Sequence, residues 1–155
     1  MKLIIAGSRE ITDYQLLKRA VFEFAKSIYG EDIPLPLNGW IDEIISGAAK
    51  GVDTMGEKFA KEQNINLVVF HANWNKHGNA AGPIRNGEMG TYARIMAEHK
   101  KMHSALIAIP HPESFKKKSG GTQHMIKFAT DADFDYVFVH GPENIFSMDY
   151  KSNRT

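Results

Sequence analysis

The chain has 155 residues, 43% of them apolar and 24% charged, enough for one domain with its own core and no metal or disulfide staples. A balance of 19 Lys+Arg against 18 Asp+Glu leaves a formal charge of +1, which excludes a general polyanion binder and confines any hold on phosphate to local placement of charge. Cysteine is absent, which excludes disulfides, thiolate metal sites and cysteine nucleophiles.

The opening "MKLIIAGSRE" has one Lys and five apolar residues before its first Gly, too short a run for a signal peptide, and no window approaches a membrane span. A soluble, cytoplasmic protein is the expectation. "KLIIAG" predicts a buried strand from Lys2 to Ala6, stopped by Gly7. The spacing of Leu16, Leu17, Ala20, Val21, Phe24 and Ile28 predicts a helix, with Thr12 or Asp13 as its N-cap and Gly30 as its stop. "EDIPLPLNGW" reads as a loop, "IDEIIS" as a second strand, "GVDTMGEKFAKEQN" as a helix and "INLVVF" as a third strand. "HANWNKHGNAAGP" is a polar loop, followed by a long helix from Pro83 to about His103. "SALIAI" predicts a fourth strand, "PHPESFKKKSGG" a loop, "TQHMIKFATDAD" a helix and "DYVFVH" a fifth strand. Residues 1–140 then form the domain, and 141–155 a polar C-terminal tail that frays.

Strands alternate with helices, and each strand is a nearly continuous apolar run rather than an alternating one. That pattern predicts a mainly parallel, five-stranded sheet covered by helices on both faces, a single-domain, doubly wound α/β fold of Rossmann type.

Glycines gather where such a fold brings its ligand-binding loops together. Gly7-Ser8-Arg9 follows the first strand, and Ser46-Gly47-Ala48-Ala49-Lys50-Gly51 the second. Gly82 precedes the long helix, and Ser119-Gly120-Gly121-Thr122 follows the fourth strand. Loops after the strands share the carboxyl edge, and glycine lets backbone amides come close to an anion there. Tight turns alone would also use glycine. Neither GxxxxGK[ST] nor GxGxxG is present, which sets aside the standard NTPase and dinucleotide dehydrogenase readings.

"LIIAGSR", "IISGAAKGVDTMGEKFAKE", "FHANWNKHGNAAGPIRNGEM" and "SALIAIP…SGGTQHMI" together resemble the SLOG superfamily, in particular its branch related to YspA and YpsA, the DUF2493 domain. The resemblance runs from about Lys2 to Val139. It implies a Rossmann-like fold that binds nucleotides or nucleotide-derived molecules. Relatives include the LOG phosphoribohydrolases, sensor domains for ADP-ribose-like signals and the DNA-processing protein DprA. In LOG enzymes an arginine and a "PGGxGTxxE" loop carry the site. Arg85 resembles that arginine, and Ser119 to Thr122 that loop, but Met125 stands where the hydrolases keep their glutamate. The resemblance also implies a homodimer or larger homo-oligomer.

The expected ligand-binding rim comprises Gly7, Ser8 and Arg9; Ser46, Gly47, Ala48, Gly51, Val52 and Asp53; Gly82, Pro83, Arg85 and Asn86; and Gly120, Gly121 and Thr122. The resemblance implies a nucleotide or ADP-ribose-like ligand for this rim, sensed or sequestered, and no cofactor and no metal are expected. Arg85 suits phosphate because guanidinium pairs with it bidentately; the alternative is a salt bridge to Asp53 or Glu88. Asp53 opens the second helix, where the helix dipole alone favours a carboxylate, or it binds a ribose or orients Arg85. Trp74 stacks on a base or packs under its loop. In the alternative reading of a LOG-type N-glycosidase, Arg85 and Glu88 are the catalytic pair, with Asp53 as another stand-in for the missing acid. A DprA-like DNA-associated module is a third reading, which the near-neutral charge disfavours. His99 and His103 are four apart on the expected helix, but no two-His ligand motif such as HExxH occurs, and Lys116–Lys118 reads as a solvated loop.

Overall fold

The computed structural model of the chain describes residues 1–117, 120–141 and 146–147. Five parallel strands, β1 (Lys2–Gly7), β2 (Glu43–Ser46), β3 (Asn66–Val69), β4 (Ser104–Ile109) and β5 (Tyr136–His140), lie in the order β3-β2-β1-β4-β5. A two-residue strand, β6 (Phe146–Ser147), adds antiparallel to β5, so part of the expected tail joins the sheet edge. The rest of that tail lies outside the described residues.

The central strands show why their sequences lack polar alternation. In β1, Leu3 and Ile5 face one core while Ile4 and Ala6 face the other. Ala105, Ile107 and Ile109 of β4 join the first core, and Leu106 and Ala108 the second. Both faces are covered, so positions 3–6 and 105–109 are all apolar. Helices α1 (Tyr14–Tyr29) and α2 (Val52–Glu62) cover the first face through Leu17, Val21, Phe24 and Phe59. The Asp13 side chain caps α1 by accepting from the Gln15 N–H at 3.0 Å, and Gly30 ends the helix at φ 66°.

The opposite face carries α4 (Ala81–His99) and α6 (Gly121–Asp131), through Met89, Ala93, Met125 and Ala129. Two stretches expected as loops contain short helices, α3 (Trp74–His77) and α5 (Pro112–Lys117). Asn73 nucleates α3 by accepting from the Lys76 N–H at 3.1 Å. Pro112 and Glu113, residues suited to a first helical turn, open α5. A 3-10 turn at Gly78–Ala80 leads directly into α4, so that helix starts two residues earlier than expected. It also stops at His99, because Lys101 takes a left-handed φ of 55°. His99 and His103 therefore do not share a helix, and His103 instead sets Nδ1 3.3 Å from Asp135 Oδ2.

At the amino edge of the sheet, Lys2 is buried inside its strand. Its Nζ lies 2.7 Å from Asp42 Oδ2 and 3.3 Å from Glu43 Oε1, and the Tyr92 hydroxyl donates to the same Glu43 oxygen at 2.7 Å. This network ties β1 and β2 to α4 at the end opposite the glycine-rich turns. Burial opposes the Lys2 charge, but Asp42 and Glu43 overcome it and raise its pKa.

Candidate functional site

The strand order reverses direction between β1 and β4, which places a crevice outside their carboxyl ends. A cleft of about 1030 Å³ opens there. Gly7, Ser8 and Arg9 line it from the turn after β1, and Gly47, Ala48 and Asp53 from the segment after β2. Gly82, Pro83, Arg85 and Asn86 line it from the start of α4, and Gly120, Gly121 and Thr122 from the start of α6. All four glycine-bearing segments thus meet at one rim.

The remaining expected residues stand elsewhere. Glu88 is exposed and outside the cleft lining, and it forms no ion pair among the described residues. Ser46 is buried beneath the rim, where its hydroxyl donates to Glu57 Oε2 at 2.7 Å and accepts the Ala48 N–H at 3.1 Å. It shapes the turn rather than facing the cleft. Val52 belongs to the core, and its N–H donates to the Ser8 carbonyl at 3.2 Å. Gly51, at φ 76°, backs onto the same carbonyl and onto the backbone of Arg9. Gly51 and Val52 therefore brace the first turn from behind. Lys116 lies in α5, and Lys118 and Ser119 fall outside the described residues.

Arg85 is held at two points. Nη1 donates to the Gly47 carbonyl at 2.6 Å, and Nε to Asn86 Oδ1 at 3.2 Å. Its charge acts on Asp53 without an ion pair forming, and it does not pair with Glu88. Gly47 makes this approach possible: a Cβ there would lie 2.9 Å from Asp53 Oδ2 and 3.0 Å from the Arg85 Cζ and Nε atoms. Ala48 beside it adopts φ 63°, a left-handed turn that costs a non-glycine residue on the order of 1 kcal/mol. The start of α6 has no side-chain cap, since Gly120 precedes it at φ 98°, so its first-turn N–H groups are left to a ligand or water.

Residues 1–77 match the model of the YAcAr family, described as the YspA, cpYpsA-related SLOG family. The match spans just under half of the chain. The SLOG segment carries the turns after β1 and β2, while Arg85, Asn86 and the Gly120–Thr122 turn lie beyond it. The match supports, at a coarse level, a nucleotide-related binding role on a Rossmann-like fold. No curated protein and no solved structure matches the chain. Among the described residues, no helix is long and apolar enough to cross a membrane.

Several lining residues carry no signal in the sequence. Three of the seven histidines, His71, His111 and His124, face the cleft, as do Glu10, Glu113 and Ser114. His111 Nε2 lies 3.1 Å from Glu10 Oε2, and its Nδ1 accepts the Glu113 N–H at 3.2 Å, which joins the turns after β1 and β4 across the opening. Trp74 is 56% exposed and lies over Gly82, with its Cη2 3.5 Å from where a Cβ at that glycine would stand. Apart from His124, which lies in the first turn of α6, these residues follow strand ends, but only the packed turns fix which way each points.

Asp53 is 5% exposed, and its Oδ2 accepts the Ala49 N–H at 3.2 Å. Burial pushes its carboxyl up to about 6; the Ala49 amide, the Arg85 charge and the Gly7 amide hold it down, and Glu57 adds to the rise. The folded state therefore holds this proton more tightly than the unfolded chain does, whose pKa is 3.8. The stability that this supplies is full below about pH 4 and is lost as pH rises to about 6, an effect of about 3 kcal/mol at most. Asp53→Asn is expected to gain on the wild type across that window. Urea midpoints of both proteins at several pH values check it, and a constant difference between them would contradict it.

Proposed function

We propose that the cleft binds a nucleotide or ADP-ribose-like molecule through its phosphate, and that the protein senses or sequesters this ligand. The supporting observation is Arg85, tethered at Nη1 and Nε yet lining a cleft shared by four glycine-bearing segments. A guanidinium fixed in this way has lost its side-chain entropy before an anion arrives, which favours binding. The uncapped start of α6 adds oriented amides on the same rim. The lining balances Arg9, Lys50 and Arg85 against Glu10, Asp53 and Glu113, which suits a ligand carrying both phosphate and hydroxyl groups. Calorimetric titration with AMP, ADP-ribose and ribose 5-phosphate tests the reading. Saturable binding of at least one supports it; no heat from any of them overturns it.

One observation favours a second reading, N-glycosidic cleavage of a nucleoside monophosphate. Asp53 is a buried carboxyl in the cleft with its pKa at about 6, a value suited to acid–base work. Its Oδ2 is engaged by the Ala49 amide, however, and Met125 is buried in the core. Binding is therefore the leading reading. Release of free base from AMP by the purified protein, and its loss in Asp53→Asn, would reverse that order.

A further inference from the structure

The hydrogen bonds of Asn86 determine the protonation pattern of a second ligand-facing side chain. Asn86 is 5% exposed, between the Arg85 guanidinium and the start of α6. Its Oδ1 accepts from Arg85 Nε at 3.2 Å, and its Nδ2 lies 3.3 Å from the Gly121 carbonyl oxygen. A guanidinium nitrogen only donates and a carbonyl oxygen only accepts, so the two partners independently fix which end of the amide carries hydrogens. The second Nδ2 hydrogen then points at His124 Nδ1, 3.3 Å away. Because that position meets a donor, Nδ1 is the acceptor nitrogen of the imidazole. The proton of His124 sits on Nε2.

His124 lines the cleft, its side chain is exposed, and among the described residues Nε2 has no protein partner. The geometry points to His124 Nε2–H as a hydrogen-bond donor to a phosphate oxygen of the bound ligand, with Asn86 as the residue that positions both it and Arg85. The inference rests on the reading of the cleft as a phosphate site. It adds a ligand-binding residue from the first turn of α6, one position before the buried Met125. One amide thereby presets two donors, on helices separated by 35 residues between Asn86 and Gly121.

Nitrogen-15 NMR of histidine-labelled protein reads the tautomer directly and needs no ligand. The expected spectrum of neutral His124 has protonated Nε2 and bare Nδ1; an Nδ1–H tautomer overturns the inference. Asn86→Asp replaces the donor with an acceptor, and the expected result is a shift of the His124 proton towards Nδ1 or a doubly protonated ring. An unchanged His124 spectrum in that variant overturns the positioning role. For the ligand contact, ADP-ribose is the probe. His124→Ala is expected to weaken its affinity about 10-fold or more, with His124→Gln, which keeps a donor of similar reach, restoring much of it. Wild-type affinity in His124→Ala, with loss in Arg85→Ala, overturns the contact and leaves the cleft intact. No binding of any phosphate probe by the wild type overturns the cleft reading and the contact together.

Discussion

Arg85→Ala is expected to weaken ADP-ribose binding by about 10- to 150-fold, the loss that follows from removing one charge-assisted hydrogen bond to phosphate worth about 1.5–3 kcal/mol. The side chain is half-buried and holds the Gly47 carbonyl at 2.6 Å, so its removal also frees the turn after β2. Arg85→Lys separates the two contributions. It keeps the charge but cannot span Gly47 and Asn86 with a planar fork, and an intermediate affinity is expected. Calorimetry on folded variants, checked by circular dichroism, measures this. An Arg85→Ala protein that binds as tightly as the wild type would remove the guanidinium from the site.

Gly51→Ala has the largest expected effect on folding. At φ 76° and ψ −123° the residue occupies a region closed to side chains, at a strain of about 1–3 kcal/mol. The added Cβ would also fall on the Ser8 carbonyl oxygen and 2.7 Å from the Arg9 carbonyl carbon and oxygen, and overpacking of this kind costs about 1–3 kcal/mol more. The sum, about 2–6 kcal/mol, is a large share of the stability of an ordinary domain and lowers Tm by about 4–24 °C. The same substitution pushes the Ser8–Arg9 turn towards the cleft, so ligand affinity falls with stability. Gly39→Ala is the control, because a Cβ there meets nothing within 4 Å. Equal melting temperatures for the two variants would contradict the bracing role of Gly51.

The sheet was legible because its central strands are buried on both faces. "LIIA" and "SALIAI" have no polar residue on alternate positions, and only a parallel, doubly covered sheet makes that pattern economical. The two short helices were not legible. Four residues at Trp74–His77 and six at Pro112–Lys117 are too few for a helical period to emerge against a Gly- and Pro-rich background. The glycine-rich turns could be placed at the carboxyl edge from chain order alone. The separate roles of their residues could not: Gly47 admits a side chain from α4, whereas Gly51 admits the backbone of another loop, and both partners are distant in sequence. Glu88 shows the converse. Its position three residues after Arg85 suggests proximity, yet it emerges exposed while Arg85 turns under the rim towards Gly47. His124 was passed over because the tautomer that makes it a donor depends on Asn86, a residue 38 positions away.

Backbone amide shifts of nitrogen-15-labelled protein titrated with ADP-ribose test the shared rim most directly. The expected result is concerted movement of the Gly7, Ser8, Gly47, Ala48 and Gly121 amides, all of which line one cleft, with the Asp42 and Lys101 amides at the opposite edge unchanged. Shifts confined to that opposite edge, or to the outer surfaces of α1 and α2, would contradict it.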